Sequence, residues 1–467
     1  MKPRHYDIFI PDDGTEPFVN CKLNRKQYAE VLTDIVSLYS DGFVLVVNNK
    51  WGTGKTTFIK MWEQHLKNKD YKILYFNAWE NDFQSDVLVA LLAELEVLAD
   101  SSTEAGFKKV LSKATPLLKK AGLGLVKGLA KKFGADEMMQ AIIDGTAEAT
   151  LDGLEDEIKS YTNRKKGIEE FRESLKAYVE TLSNEKPVVF IIDELDRCRP
   201  NYAVEVLEQI KHLFSVEGIV FVLAIDKEQL GHAVRGVYGS DKIDADEYLR
   251  RFIDLEYSIP EPNIKDYTEY LFNYFGFDEF YNDQRNRSPS FSSEKTSFLV
   301  VFSTLFSINA PSLRIVEKMF SHIRLVLNTF VENQYSFPEL ITLLFYIKTF
   351  KFKLYKGILN RTITPQELLN KLDSLFINVI KEEENRRLGY CVGRFIFTYC
   401  NYIEQSGGKK MVKYDEQESK NYIDLKFNLN QEQFQNSFMN LSNDYNINTI
   451  GLDWILKRIN LTEKFKI

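Results

Sequence analysis

Lys55, Thr56 and Thr57 directly follow a turn holding Gly52 and Gly54, and the turn itself follows an apolar run, Phe43-Val44-Leu45-Val46-Val47. A lysine and a threonine at this spacing after a glycine-rich turn suit one chemistry, the grip on a polyphosphate and its Mg²⁺ ion. Backbone N–H groups of such a turn, and of the helix FIKMWEQHL that opens from it, converge on an anion at the positive end of the helix dipole. Lys55 is expected to reach the β- and γ-phosphates and Thr56 to ligand the metal. The stretch Asn49-Lys50-Trp51-Gly52-Thr53-Gly54-Lys55-Thr56-Thr57 fits the spacing G-x-x-x-x-G-K-[ST] except at its first position, where Asn49 replaces glycine. Asparagine tolerates positive φ better than most non-glycine residues, which is how the turn is expected to close at Asn49.

A phosphate grip needs a carboxylate on the metal side. Val188-Val189-Phe190-Ile191-Ile192 reads as a buried central strand, and Asp193 and Glu194 stand at its C-terminal end, where open α/β sheets hold their ligands. Asp193 is expected to hold Mg²⁺, directly or through water. Glu194 is placed to orient and deprotonate an attacking water, which makes hydrolysis chemically accessible. An acidic turn after a buried strand is common in itself; its pairing with the glycine-rich loop selects the metal reading.

These residues require a scaffold. Residues 23–40 have helical period, 71–77 read as a second strand, Asp86 to Asp100 as a helix with Leu88, Leu91, Leu92 and Leu95 on one side, and 219–225 as a further strand. Alternating strands and helices argue for an α/β fold with a parallel sheet covered on both faces. Residues 100–183 form an insertion that reads as helix throughout. Its segment Phe107 to Ala135 holds eight lysines and no acidic residue. Lys113, Lys120, Lys127 and Lys131 share one face, and Leu118, Leu125, Leu129 and Phe133 the opposite one. This pattern fits weak contact with an anionic membrane surface or nucleic acid, and equally a helix packing its leucines on the core with solvated lysines. The acidic stretch Asp136 to Tyr178 is a candidate to pair with it. Beyond Pro262 the pattern is all-helical, with polar loops at Tyr281 to Ser297 and Gln405 to Asn421. The expected division is a core at 1–262, a helical region at 263–404 and a small region at 405–467.

The chain has 467 residues, enough for two or three domains, and a net charge of −7 that argues against a generally basic nucleic-acid binder. Cys21, Cys198, Cys391 and Cys400 are widely spaced, which points to reduced thiols in a cytoplasmic protein rather than a zinc site. There is no secretion signal and no apolar run of transmembrane length.

The order of motifs resembles the KAP family of P-loop NTPases. The resemblance rests on DELDRC at Asp193 to Cys198, FNAW at Phe76 to Trp79, IVFVLAIDKEQL at Ile219 to Leu230, DEYLRRFIDLEYSIPEP at Asp246 to Pro262, and Pro311 to Lys318. The family's membrane helices between the two motifs are missing here. The resemblance implies that Asp226 is a sensor acid facing the nucleotide, that Arg251 takes the place of the family's usual lysine and is a candidate arginine finger supplied to a second copy, and that Arg314 is a lid arginine reaching the γ-phosphate.

It further implies an ATP- and Mg²⁺-dependent hydrolysing switch, in a family found in bacteria in phage-exclusion contexts, acting with a protein partner or effector that the sequence does not identify. No N-K-x-D guanine motif stands in the expected place, so adenine is expected over guanine. A nucleotide-dependent scaffold with little turnover and a nucleic-acid-stimulated ATPase are the alternatives.

Overall fold

A computed structural model describes residues 6–84, 86–118, 154–182, 185–283, 293–307, 311–331, 334–376, 386–405, 407–416, 420–427, 431–443 and 451–461. Two compact units are present, Asp7–Glu261 and Pro262–Ile467 with the first residues of the chain.

In the first unit, α1 (Lys26–Leu38) leads into β1 (Asp41–Asn48), the phosphate-loop segment and α2 (Lys55–Lys67). Then come β2 (Ile73–Asn77), α3 (Val87–Glu96), α4 (Glu104–Ala114), α5 (Leu154–Leu182) and β3 (Val188–Asp193). A 3₁₀ turn at Leu195–Arg197 and α6 (Pro200–Gln209) run into a π-helical stretch, Ile210–Phe214. The unit closes with β4 (Ile219–Ile225), α7 (Lys227–Tyr238), α8 (Ala245–Leu249) and β5 (Leu255–Ser258). The five strands are parallel in the order β2-β3-β4-β1-β5.

Every residue of β3 and β4 is buried, which explains their unbroken apolar sequences: a central parallel strand has helices on both sides. Alternate residues feed two cores. Leu45, Val47, Val189, Ile191, Val220 and Val222 pack with Leu32, Val36, Phe58 and Trp62 of α1 and α2. Val44, Val46, Phe190, Ile192, Phe221 and Leu223 pack with α3, α4, α5 and α6 through residues such as Leu91, Phe107, Tyr178 and Leu207.

Several sequence expectations need correction. The helix expected from Asp86 to Asp100 is Val87–Glu96, capped by the Asp86 carboxylate, which accepts from the Leu88 N–H at 3.1 Å. The insertion is not helical throughout. Asp100 folds a turn by accepting from the N–H groups of Ser102 and Thr103, and among the described residues of the basic segment α4 ends at Ala114 and gives way to a 3₁₀ turn at Thr115–Leu117 with Pro116 in it. Lys120, Leu125, Lys127, Leu129, Lys131 and Phe133 lie outside the described residues. Lys113 forms an ion pair with Glu170 of α5 at 2.7 Å, so this lysine bonds to the acidic half of the insertion. Strand β5 was not expected. Its four residues, Leu-Glu-Tyr-Ser, are largely exposed and lack the apolar run of the other strands.

The second unit is built mainly of helices, among them α9 (Ile264–Tyr274), α10 (Phe277–Asp283), α11 (Glu294–Ser307), α12 (Leu313–Leu327), α13 (Pro338–Phe350) and α16 (Arg386–Ile403), with α14 (Phe352–Leu359) and α15 (Pro365–Phe376) between the last two. Its core is aromatic: Phe298 lies within 6 Å of Phe272, Phe277, Phe302 and Phe320, centroid to centroid. The expected loop Tyr281 to Ser297 is helical at both ends, because α10 and α11 reach into it. Lys295 reaches back to Asp278, and Glu294 is fully buried, accepting from the N–H and hydroxyl of Ser336 at 2.6 and 2.8 Å. The second expected loop holds a short helix, Gly407–Lys410, and an antiparallel hairpin of β6 (Val412–Asp415) and β7 (Lys420–Ile423). The helical unit therefore carries a two-stranded addition that its polar sequence does not announce. Among the described residues, no helix is long and apolar enough to cross a membrane.

Candidate nucleotide site

The phosphate-loop segment leaves β1 at its C-terminal end and re-enters secondary structure at Lys55. Positive φ falls at Gly52 (76°) and Gly54 (80°), the latter forming the N-cap of α2. Asn49 is not among the positive-φ residues, so the reason expected for its presence is wrong. Its side chain is a tether. The amide nitrogen donates to the Ile259 carbonyl just past β5 at 2.9 Å, and the amide oxygen accepts from the Lys50 N–H at 2.8 Å. Glycine offers neither bond.

Arg25, 3% exposed and at the start of α1, also grips the loop. Its guanidinium donates to the carbonyls of Thr53 at 2.8 Å and Gly54 at 3.1 Å. Carbonyl and N–H point in opposite directions across a trans peptide plane. Fixing these two carbonyls on Arg25 therefore turns the N–H groups of Gly54 and Lys55 the other way, the orientation a phosphate requires. The Thr53 hydroxyl donates to the Lys50 carbonyl at 2.9 Å and tightens the turn.

Lys55 is 8% exposed, and its ammonium donates to the Asn49 carbonyl at 3.1 Å. Burial pulls its pKa below the ordinary lysine value, opposed by the negative charges of Asp196, Asp193 and Asp226. Asp193 is fully buried at the end of β3. One carboxylate oxygen accepts from the Tyr75 hydroxyl of neighbouring β2 at 3.0 Å and the other from the Glu194 N–H at 2.8 Å. Burial raises its pKa, with Tyr75, Thr56 and Lys55 pulling the other way. A buried carboxylate beside a threonine hydroxyl is an oxygen donor set that a hard cation such as Mg²⁺ fits, and the Lys55 ammonium suits the phosphates that such a cation accompanies.

Glu194 has φ 61° and caps the 3₁₀ turn Leu195–Arg197. Burial raises its pKa, and Arg197, 2.7 Å away, opposes that. The neighbouring Asn77 side chain also helps hold the Glu194 pKa down, and its amide oxygen accepts from the N–H groups of Trp79 and Glu80 at 3.2 Å. Trp51 donates its indole N–H to Asp196. Asp226, 6% exposed, ends β4 and caps α7 by accepting from the Gln229 N–H at 3.3 Å.

The fold thus brings together Lys55, Thr56, Asp193, Glu194 and Asp226 at the C-terminal edge of the sheet. Arg251 is not with them. It is exposed on the turn before β5, three residues ahead of Asp254, which exchanges two hydrogen bonds with the backbone of Val44 at 2.8 and 3.0 Å. The rise from Val44 to Asn48 is about 13 Å, so Arg251 lies towards the end of the sheet opposite its own phosphate loop. Arg314 belongs to the second unit, exposed in the first turn of α12.

Tyr75, Asn77, Asp196, Arg197 and Arg25 are site residues that motif spacing alone did not assign. The FNAW and DELDRC strings contain three of them, and Tyr75 immediately precedes the first, so the signal was visible without its roles. Arg25 carries no local signal.

The model of the KAP family P-loop domain matches residues 25–330. The chain belongs to the KAP family. A curated relative, the phage T7 exclusion protein of Escherichia coli K12, is 20% identical over 234 residues, covering 48% of this chain and 31% of that protein. The chain therefore spans about a third of that relative's length. Among solved structures, the Aeropyrum pernix ORC2 protein in ADPNP and ADP complexes is similar at a TM-score of 0.34 and 14% identity, over 94% of this chain and 98% of that one. The family assignment and the P-loop geometry together make this KAP protein a nucleotide-binding P-loop protein.

Proposed function

We propose that this KAP protein binds ATP with Mg²⁺ and hydrolyses it as a molecular switch. The observation that carries the reading is the meeting of Lys55 and Thr56 with the fully buried Asp193. In that reading Asn49 to Thr57 cradle the phosphates, Thr56 and Asp193 hold the metal, Asp226 monitors the nucleotide, and Glu194 takes a proton from water. Arg314 is assigned to the γ-phosphate as a lid residue, and Arg251 to a second copy's nucleotide. The likeness to a phage-exclusion protein favours a role in bacterial anti-phage defence, in the cytoplasm and with a protein effector as partner; the four free thiols fit a reducing compartment.

Phosphate release from ATP and GTP, with and without Mg²⁺, tests the reading. K55A should lose nucleotide binding, and E194Q should bind ATP without turning it over. Absence of nucleotide binding by the wild-type protein would sink it. Binding without turnover would leave the nucleotide-dependent scaffold as the better account.

A further inference from the structure

We propose that Arg197 is a positioning residue through which the phosphate loop controls Glu194. The proposal deepens the reading above and rests on Glu194 activating water.

Arg197 ends the turn that Glu194 begins. Its Nη1 lies 2.7 Å from Glu194 Oε1, and the Glu194 side chain is 12% exposed, so the pair is largely shielded from solvent. The guanidinium is also flanked by two indoles, 6.0 Å from the Trp51 ring and 5.8 Å from the Trp79 ring. Trp51 is part of the phosphate loop. Its N–H donates to Asp196, the immediate neighbour of Arg197 in the same turn. Asp196 is 7% exposed, and its Oδ1 is buried without a hydrogen-bond partner, so the Trp51 bond is the polar tie that this carboxylate makes to the loop. One loop side chain therefore touches both residues that follow Leu195.

The arrangement has a chemical consequence. The oxygen engaged by Arg197 is not turned to a water, so the paired carboxylate is held out of position to take a proton from one. Arg197 also contributes positive charge at Lys55, so a polyphosphate arriving at Lys55 enters the field of Arg197 as well. Filling the loop shifts Trp51 and loosens both of its contacts with the turn, which weakens the Arg197–Glu194 pair without breaking it. In this account the pair still slows hydrolysis with the loop filled, and removing Arg197 lifts the remaining restraint.

The test uses the full chain with MgATP, comparing wild type, R197Q, R197K, and R197Q combined with E194Q. Nucleotide binding is read with a fluorescent ATP analogue and folding by thermal melting. R197Q should raise kcat several-fold with little change in KM. R197K keeps the charge and should stay closer to wild type than R197Q does. Adding E194Q should abolish the gain. R197Q turnover at or below the wild-type rate overturns the proposal, as does a gain that survives E194Q. If all variants bind the analogue and R197Q shows no gain, the control by Arg197 fails while nucleotide binding stands. If wild type binds no nucleotide, the functional reading fails first and this inference with it.

Discussion

The Tyr75 hydroxyl reaches across from β2 to donate a 3.0 Å hydrogen bond to the Asp193 carboxylate at the end of β3. Groups that orient a metal-ligating carboxylate typically contribute about 10- to 100-fold in metal affinity. Tyr75→Phe removes only the hydroxyl. It should raise the Mg²⁺ concentration needed for half-maximal nucleotide binding by roughly tenfold, with a loss of about 1 kcal/mol in metal-free stability. An Mg²⁺ titration monitored by nucleotide binding checks this; an unchanged midpoint would reduce Tyr75 to a packing residue.

Replacing Asn49 with glycine would restore the family's loop pattern yet should weaken the protein. The change deletes the amide bonds to Ile259 and Lys50 and frees a backbone that has no positive φ to relieve. A lost hydrogen bond and added chain entropy each cost about 1 kcal/mol. Nucleotide affinity should fall about tenfold or more, measured by calorimetric titration. Equal or tighter binding by N49G would show that the tether is dispensable.

Burial raises the folded-state pKa of Asp193. A group shifted in this direction binds its proton more readily when folded, so its contribution to stability is fullest below its unfolded pKa and is lost as pH rises through the folded value. Metal-free wild type should therefore be less stable than D193N at neutral pH, and the gap should narrow as pH falls towards the ordinary carboxylate range. Melting both proteins in chelator across that range tests the sign. A gap that widens on acidification would contradict the assigned environment.

Arg251 stands towards the opposite end of the sheet from its own phosphate loop, so a contribution to hydrolysis requires a second copy. Activity per chain should rise with protein concentration. Arg251→Ala should lower the plateau by up to about 10³-fold, the scale of a finger arginine, without weakening nucleotide binding. Concentration-independent turnover in a monomeric sample would remove Arg251 from the mechanism.

The parts legible in the sequence were those whose local pattern and three-dimensional role coincide. The runs at 43–47, 188–192 and 219–225 are apolar throughout because both faces of those strands are covered, and the glycines before Lys55 mark the positive φ values of the turn. The rest was hidden for physical reasons. β5 is an edge strand with little to bury, so its residues look like loop. Arg25 acts on carbonyls 28 and 29 positions away, a relation with no periodicity. Asn49 was assigned a backbone reason when its side chain carries the role. β6 and β7 have four residues each, and the alternation in Val412-Lys413-Tyr414-Asp415 is too short to stand out from the polar loop around it.

The open side of the sheet has its own consequence. β5 pairs with β1 only from Leu45 to Asn48, which would leave the earlier part of β1 available to a foreign strand. The Asp254 carboxylate takes the Val44 N–H, and Glu256 stands on β5 engaged with Lys227 at 2.8 Å. A brief, charged margin of this kind is a poor template for strand addition. The protein is thereby guarded against edge-to-edge aggregation on this side, and copies that assemble here must meet through side chains rather than by extending the sheet.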